Sequence, residues 1–199
     1  MNILSILLTL VVLKEDKSND INGNNIDIYI NDKKIEFNYK YKIKERGDIK
    51  VKFIFKKLLT STYEMFYDCS SLKSADLSSF NTTNVNNMCA MFNVCSSLES
   101  INLSSLNTTK VKDMSFMFAG CESLKSIDLS SFDTTNVKDM ERMFGGCSSL
   151  KSIDLSSFNT TNVNKMGNMF SGCSSLKKEN VKIGKNGEKI MDEIKKSLK

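Results

Sequence analysis

The sequence predicts an α/β fold: a solenoid of 26-residue strand–helix units with a parallel sheet, an N-terminal antiparallel β cap and a C-terminal helical cap. Three observations predict it. Cys69, Cys95, Cys121, Cys147 and Cys173 fall 26 residues apart, and around each recurs a version of C-S-S-L-K-S-I-D-L-S-S-F-N-T-T-N-V-x-x-M-x-x-M-F. A fixed period of about 20 to 50 residues means that one supersecondary unit stacks on copies of itself. Before the array, apolar residues alternate with polar ones at period two; after it, Ile190, Ile194 and Leu198 form a one-sided helical stripe.

Four domains follow in chain order. Residues 1–17 are an apolar leader: MNILSILLTLVVL is too short to cross a bilayer, where about 20 apolar residues are needed, so it reads as a signal-like segment or as a strand or helix buried in the domain. Residues 18–62 are the β-rich cap. Ile26, Ile28 and Ile30 alternate with polar neighbours, Asn31 to Lys34 make a turn, and Ile35, Phe37, Tyr39 and Tyr41 alternate again. Ile49, Val51, Phe53 and Phe55 continue the sheet after a turn at Glu45 to Asp48. Such a sheet would cover the open end of the array, whose first unit otherwise exposes core side chains.

Residues 63–176 are the array. In the first half of a unit, Leu124, Ile127, Leu129 and Phe132 have the L-x-x-I-x-L spacing of a short strand. In the second half, Val137, Met140, Met143, Phe144 and Cys147 share a stripe about 120° wide on a helical wheel, which predicts an amphipathic helix. Thr134, Thr135 and Asn136 would cap its start, and Gly120, Gly146 and Gly172 its end. Val94 stands where those glycines stand, and a β-branched residue disfavours positive φ, so the second unit is expected to end its helix differently. Residues 177–199 close the chain with a strand at Asn180 to Ile183, a turn at Gly184 to Gly187 and an amphipathic helix.

Composition limits the chemistry. The 199 residues include no histidine, which removes any Ser-His or Cys-His nucleophile. Charge is uneven: residues 1–62 carry 12 basic and 8 acidic side chains, 63–176 carry 8 and 11, and 177–199 carry 8 and 4. Lysine-coated ends around a mildly acidic array do not describe a groove that follows a phosphate backbone, so no nucleic acid is expected.

Units such as ESLKSIDLSSFDTTNVKDMERMFGGC (residues 122–147) resemble the 26-residue bacterial surface protein repeat, related to the BspA-like leucine-rich repeats. The resemblance covers roughly residues 63–176. It implies a leucine-rich-repeat-like solenoid in a surface or adhesion protein, and it implies no catalytic residues.

The candidate site is the outward row of the strand segments: Ser74, Asp76, Ser100, Asn102, Ser126, Asp128, Ser152 and Asp154. Solenoids commonly bind through the strand-lined side, so this face is expected to bind a protein or glycan. The expected function is recognition or adhesion without catalysis, at the cell surface or secreted, by a monomer with no membrane-spanning segment. The alternative is a cytoplasmic protein–protein interaction scaffold. No cofactor and no metal are expected: Asn102 interrupts the carboxylates that a hard cation prefers, and the cysteine and methionine columns lie on the apolar stripe, where core packing accounts for them. Cys89, whose counterparts are Ser115, Glu141 and Gly167, is expected near the surface. Arg46-Gly47-Asp48 spells an integrin-binding tripeptide, and Asn81, Asn102, Asn107 and Asn159 begin formal glycosylation acceptors, although turn chemistry explains both patterns.

Overall fold

The computed structural model describes residues 2–8, 10–12, 22–38, 40–42 and 49–198. Strands β1 (Asn2–Leu8), β2 (Leu10–Val12) and β5 (Lys40–Lys42) are described by their backbone pairing alone. Arg46-Gly47-Asp48 lies outside the described residues.

Period-two alternation builds the N-terminal sheet. In β3 (Ile26–Ile30), Ile26 and Ile28 are buried, and in β6 (Ile49–Phe55) so are Val51, Phe53 and Phe55. β3 turns into the short β4 (Lys33–Ile35) through Asn31 and Asp32, at φ 47° and 63°. Both residues tolerate the left-handed region, and two such residues in succession give the turn twist that a two-residue hairpin requires. The second alternating run does not continue the hairpin: β4 ends at Ile35, and β5 pairs with β2 instead. Strand order in the main sheet is β4-β3-β6-β1-β7-β8. β1 lies antiparallel to both β6 and β7 (Ser74–Ser79), which joins this sheet to the first repeat unit; β7 then pairs in parallel with β8 (Ser100–Asn102).

The expected leucine-rich-repeat-like solenoid of strand–helix units is not what the chain forms. Residues 137–147, expected to be helical, hold a parallel bridge at Asp139 and a run of turns over 141–146, and among the described residues the one α-helix is α1 (Glu188–Ser197). Nor does a parallel sheet run through the array. β7–β8 and β9 (Ile153–Leu155) with β10 (Val181–Ile183) are separate pairs, and residues 126–128 between them belong to no strand.

The reason for the missing helix is in the backbone. Each unit has two left-handed residues four apart: Glu64 and Asp68, Ala90 and Val94, Phe116 and Gly120, Arg142 and Gly146, Asn168 and Gly172. A right-handed helix cannot pass through them. Donors are shared out alternately. Met143, Gly145 and Cys147 donate three residues back, to the carbonyls of Met140, Arg142 and Phe144, while Met140, Arg142, Phe144 and Gly146 donate to carbonyls of the following unit at 2.7–3.0 Å. Every backbone donor from 142 to 147 is thereby satisfied without a helix. Val94 adopts φ 62°, against expectation, and its N–H meets the Ala119 carbonyl at 2.7 Å, so the second unit ends as its neighbours do. Ladder bonds to the next unit impose the conformation that valine alone resists.

Units contact one another in register. Parallel bridges link Ser61, Asn87, Asp113, Asp139 and Lys165 in sequence. Phe66, Phe92, Phe118, Phe144 and Phe170 stack with ring centroids 5.4–6.0 Å apart, and Phe53 and Phe55 of β6 meet the first rings at Phe66 and Phe80. The methionines of the array, Met65 to Met169, and the five-cysteine column are buried among them. Beyond the array, α1 buries Ile190 and Ile194, with Leu198 just past its end.

Candidate functional site: the exposed serine–aspartate face

In the strand half of each unit alternate side chains go in and out. Ala75, Leu77, Leu103, Leu129, Ile153 and Leu155 are buried, Ile101 and Ile127 half-buried. Between them Asp76, Asn102, Asp128 and Asp154 are exposed, as are Ser100, Ser126 and Ser152, with Ser74 half-buried. The sheet register brings Ser74 beside Ser100 and Asp76 beside Asn102. It does not extend to Ser126 and Asp128, which lie outside any strand. At the far end Asp154 pairs with Lys182 of β10, and an ion pair of 3.8 Å joins their side chains.

Each acidic or amide side chain in this row is folded onto its own backbone. Oδ1 of Asp76, Asn102, Asp128 and Asp154 accepts the N–H of Ser78, Ser104, Ser130 and Ser156 at 2.9–3.2 Å. These are Asx turns, in which the side chain imitates a backbone turn. Hydrogen bonds from Ser130 and Ser156 hold the Asp128 and Asp154 carboxyls below the ordinary aspartate range, with Lys182 lowering Asp154 a little further. Chemically the row is a set of fixed acceptors and hydroxyls. Among the described residues no three cysteine, aspartate or glutamate side chains converge as a metal cage.

Two more rows of the same kind line the units; the first went unread in the sequence, and the second follows the turn chemistry expected of the Asn/Asp-Thr-Thr segments. Along the parallel bridges, Oδ1 of Asn87, Asp113 and Asp139 accepts the N–H of Cys89, Ser115 and Glu141. At the next corner, Oδ1 of Asn81, Asn107, Asp133 and Asn159 accepts the N–H of Thr83, Thr109, Thr135 and Thr161. The threonine between is buried and works differently. Thr108 Oγ1 accepts the Asp133 N–H at 2.8 Å and donates to the Asp133 carbonyl at 2.9 Å, and Thr82 and Thr134 clamp Asn107 and Asn159 likewise. At the strand face and at this corner the signal was Asx followed two residues later by Ser or Thr; along the bridges, where Cys89, Ser115 and Glu141 share no residue type, only the recurring Asx at 87, 113 and 139 marked the row.

The thiols offer little nucleophilicity. All six cysteines are thiols. Those of Cys95, Cys121, Cys147 and Cys173 donate to the carbonyls of Phe66, Phe92, Phe118 and Phe144 at 3.1–3.3 Å. Burial pushes Cys173 up to about 11 and holds the thiols of Cys95, Cys121 and Cys147 well above the ordinary thiol range. Cys89 is half-buried, within 3.2 Å of the Ser115 hydroxyl, and burial raises it too.

No helix among the described residues is long and apolar enough to cross a membrane. No curated protein and no solved structure matches the chain. One family does match, over residues 60–183, the span that holds the array and the strand after it. The chain therefore belongs to the family described as "Mycoplasma protein of unknown function, DUF285".

Proposed function

We propose that the chain is a non-catalytic recognition module of the BspA-like surface-protein kind, which binds a protein or glycan through Ser74, Asp76, Ser100, Asn102, Ser126, Asp128, Ser152 and Asp154. One observation carries the reading: the same Ser-Asx-Ser element, its Asx exposed, recurs in four units, and in each the Asx side chain is fixed by the same turn. Acceptors held in place before contact lose little side-chain entropy on binding, and this favours recognition. The buried, high-pKa thiols and the lack of histidine speak against catalysis by these residues. Glycan and protein panels probed with the purified chain, wild type beside Asp128→Asn/Asp154→Asn, test it. Asparagine keeps both turns and removes both charges, so affinity should fall about tenfold or more if the carboxylates touch the partner. Equal binding by the two proteins overturns the assignment of this face. Surface biotinylation of intact cells tests the location.

One observation favours a second reading, an intracellular scaffold: with six thiols and no disulfide, the cysteines suit a reducing compartment. Biotinylation that spares the protein in intact cells and labels it after lysis supports that reading.

A further inference from the structure

The ladder between units stops at the last one with a donor left over. Asp68, Val94, Gly120 and Gly146 donate their N–H groups to the carbonyls of Asn93, Ala119, Gly145 and Ser171 at 2.7–2.8 Å. Their counterpart Gly172 repeats the backbone, with φ 79° against 77° at Gly146, so its N–H points the same way along the array. It has no acceptor among the described residues. Phe170, one rung inward, has none either, but it is fully buried, whereas Gly172 is exposed. A third rung shows what fills such a gap. Arg142 N–H donates to the Gly167 carbonyl, and its counterpart Asn168 donates instead to Oε2 of Glu193, a buried carboxylate on α1, at 3.1 Å. A carboxylate oxygen thus stands where a next unit would supply a carbonyl.

Beside these groups lies a cleft of ≈ 360 Å³ whose lining includes Ser171, Gly172, Glu193, Lys196 and Ser197. That volume is at the small end of ligand sites, about 300–1,000 Å³. Glu193 is the one acidic side chain on it, and both its oxygens are engaged: Oε2 by Asn168, Oε1 by Lys196 Nζ at 2.9 Å. What the lining still offers is the Gly172 N–H, the further N–H groups of Lys196 and the hydroxyls of Ser171 and Ser197. A backbone N–H, an ammonium and hydroxyls facing one small space are the partners of an anion.

We propose that this cleft binds a carboxylate. One oxygen accepts the Gly172 N–H, as Glu193 Oε2 accepts the Asn168 N–H, and the other faces Lys196, which then bridges the ligand and Glu193. A monoanion fits better than phosphate, because Lys196 is shared with Glu193 and a second negative charge is repelled by that carboxylate. Two sources carry the group, a small free acid and the C-terminal end of a peptide, and the test separates them. The site is separate from the serine–aspartate face and does not depend on it.

The test uses the full chain, 15N-labelled, at constant ionic strength. Sodium acetate in place of sodium chloride should shift the Gly172 amide resonance saturably and leave those of Asp76 and Ser78 where they are. Lys196→Gln should weaken acetate binding about threefold or more. Glu193→Gln keeps an acceptor for Asn168 and removes the negative charge, so it should tighten binding by a similar factor. N-acetyl-triglycine binding about tenfold more tightly than acetate assigns the cleft to peptide ends, and equal binding of the two assigns it to small acids. An unmoved Gly172 resonance at about 100 mM acetate overturns the proposal. So does acetate affinity unchanged in both variants, so does tighter binding of phosphate than of acetate, and so does equal binding by the C-terminal amide of N-acetyl-triglycine, which carries no carboxylate.

Discussion

At the scale of single residues, the fold rests on side chains that imitate or clamp backbone. Thr108 shows the clamp: its hydroxyl is both acceptor for the Asp133 N–H and donor to the Asp133 carbonyl. Replacing it by valine strands both groups, so Thr108→Val should lower unfolding free energy by about 2 kcal/mol or more, with Thr108→Ser recovering most of it. Denaturant titration of the three proteins checks this. Val94 shows the opposite imbalance, a β-branched residue at φ 62° where later units have glycine. Val94→Gly removes about 1–3 kcal/mol of strain and costs about 0.5–1 kcal/mol of chain entropy. The net gain should raise the thermal midpoint by about 2–4 °C. Asp128 and Asp154 define a pH dependence. Their carboxyls are lowered in the fold by serine hydrogen bonds, so their contribution is complete above the ordinary aspartate range and is lost as pH falls through the depressed values. Thermal midpoints measured from pH 6 to 2 should drop in the acid limb for the wild type and less for Asp128→Asn/Asp154→Asn.

At the scale of elements, the instructive one is the segment expected as a helix. Met140, Met143, Phe144 and Cys147 are buried, as the wheel required. The inference from that stripe to a helix failed, because a ribbon of turns whose alternate N–H groups leave for the next unit buries the same positions. Gly120, Gly146 and Gly172 were legible as left-handed positions. The other left-handed position holds Glu64, Ala90, Phe116, Arg142 and Asn168, five residue types with no common preference, so nothing in the local sequence announced it. Only a neighbour offering carbonyls selects it. The closing elements depend on one contact that the sequence did reserve. A Cβ at Gly184, just past β10, would collide with the Ser156 carbonyl beside β9. Gly184→Ala should therefore cost about 3 kcal/mol and separate β10 from β9. Loss of hydrogen-exchange protection at Val181 and Ile183, with the array's amides still protected, is the expected result.

At the scale of the whole molecule, the buried columns make reactivity a report on folding. Cys95, Cys121 and Cys147 are fully buried and donate to phenylalanine carbonyls, and burial raises their thiols far above neutral pH. A thiol reagent at pH 8 should modify Cys89 slowly and first. The column should react only as the array opens, with all six cysteines available in denaturant. Mass spectrometry of the partly labelled protein checks the order, and early modification of Cys121 would show that the phenylalanine stacks do not exclude solvent.

The sequence alone determined which residues are alike and which are buried, because repetition and apolar spacing are properties of the chain. It marked Ile26, Ile28, Val51, Phe53 and Phe55 as the inward side of a sheet, and it placed Asp76, Asn102, Asp128 and Asp154 outside. The tertiary structure decided the backbone. Whether Arg142 turns left or continues a helix depends on where its N–H finds an acceptor, and that acceptor, the Gly167 carbonyl, is 25 residues away. Hydrogen bonds within a segment can be read from its own residues; hydrogen bonds between segments exist only once the units lie side by side.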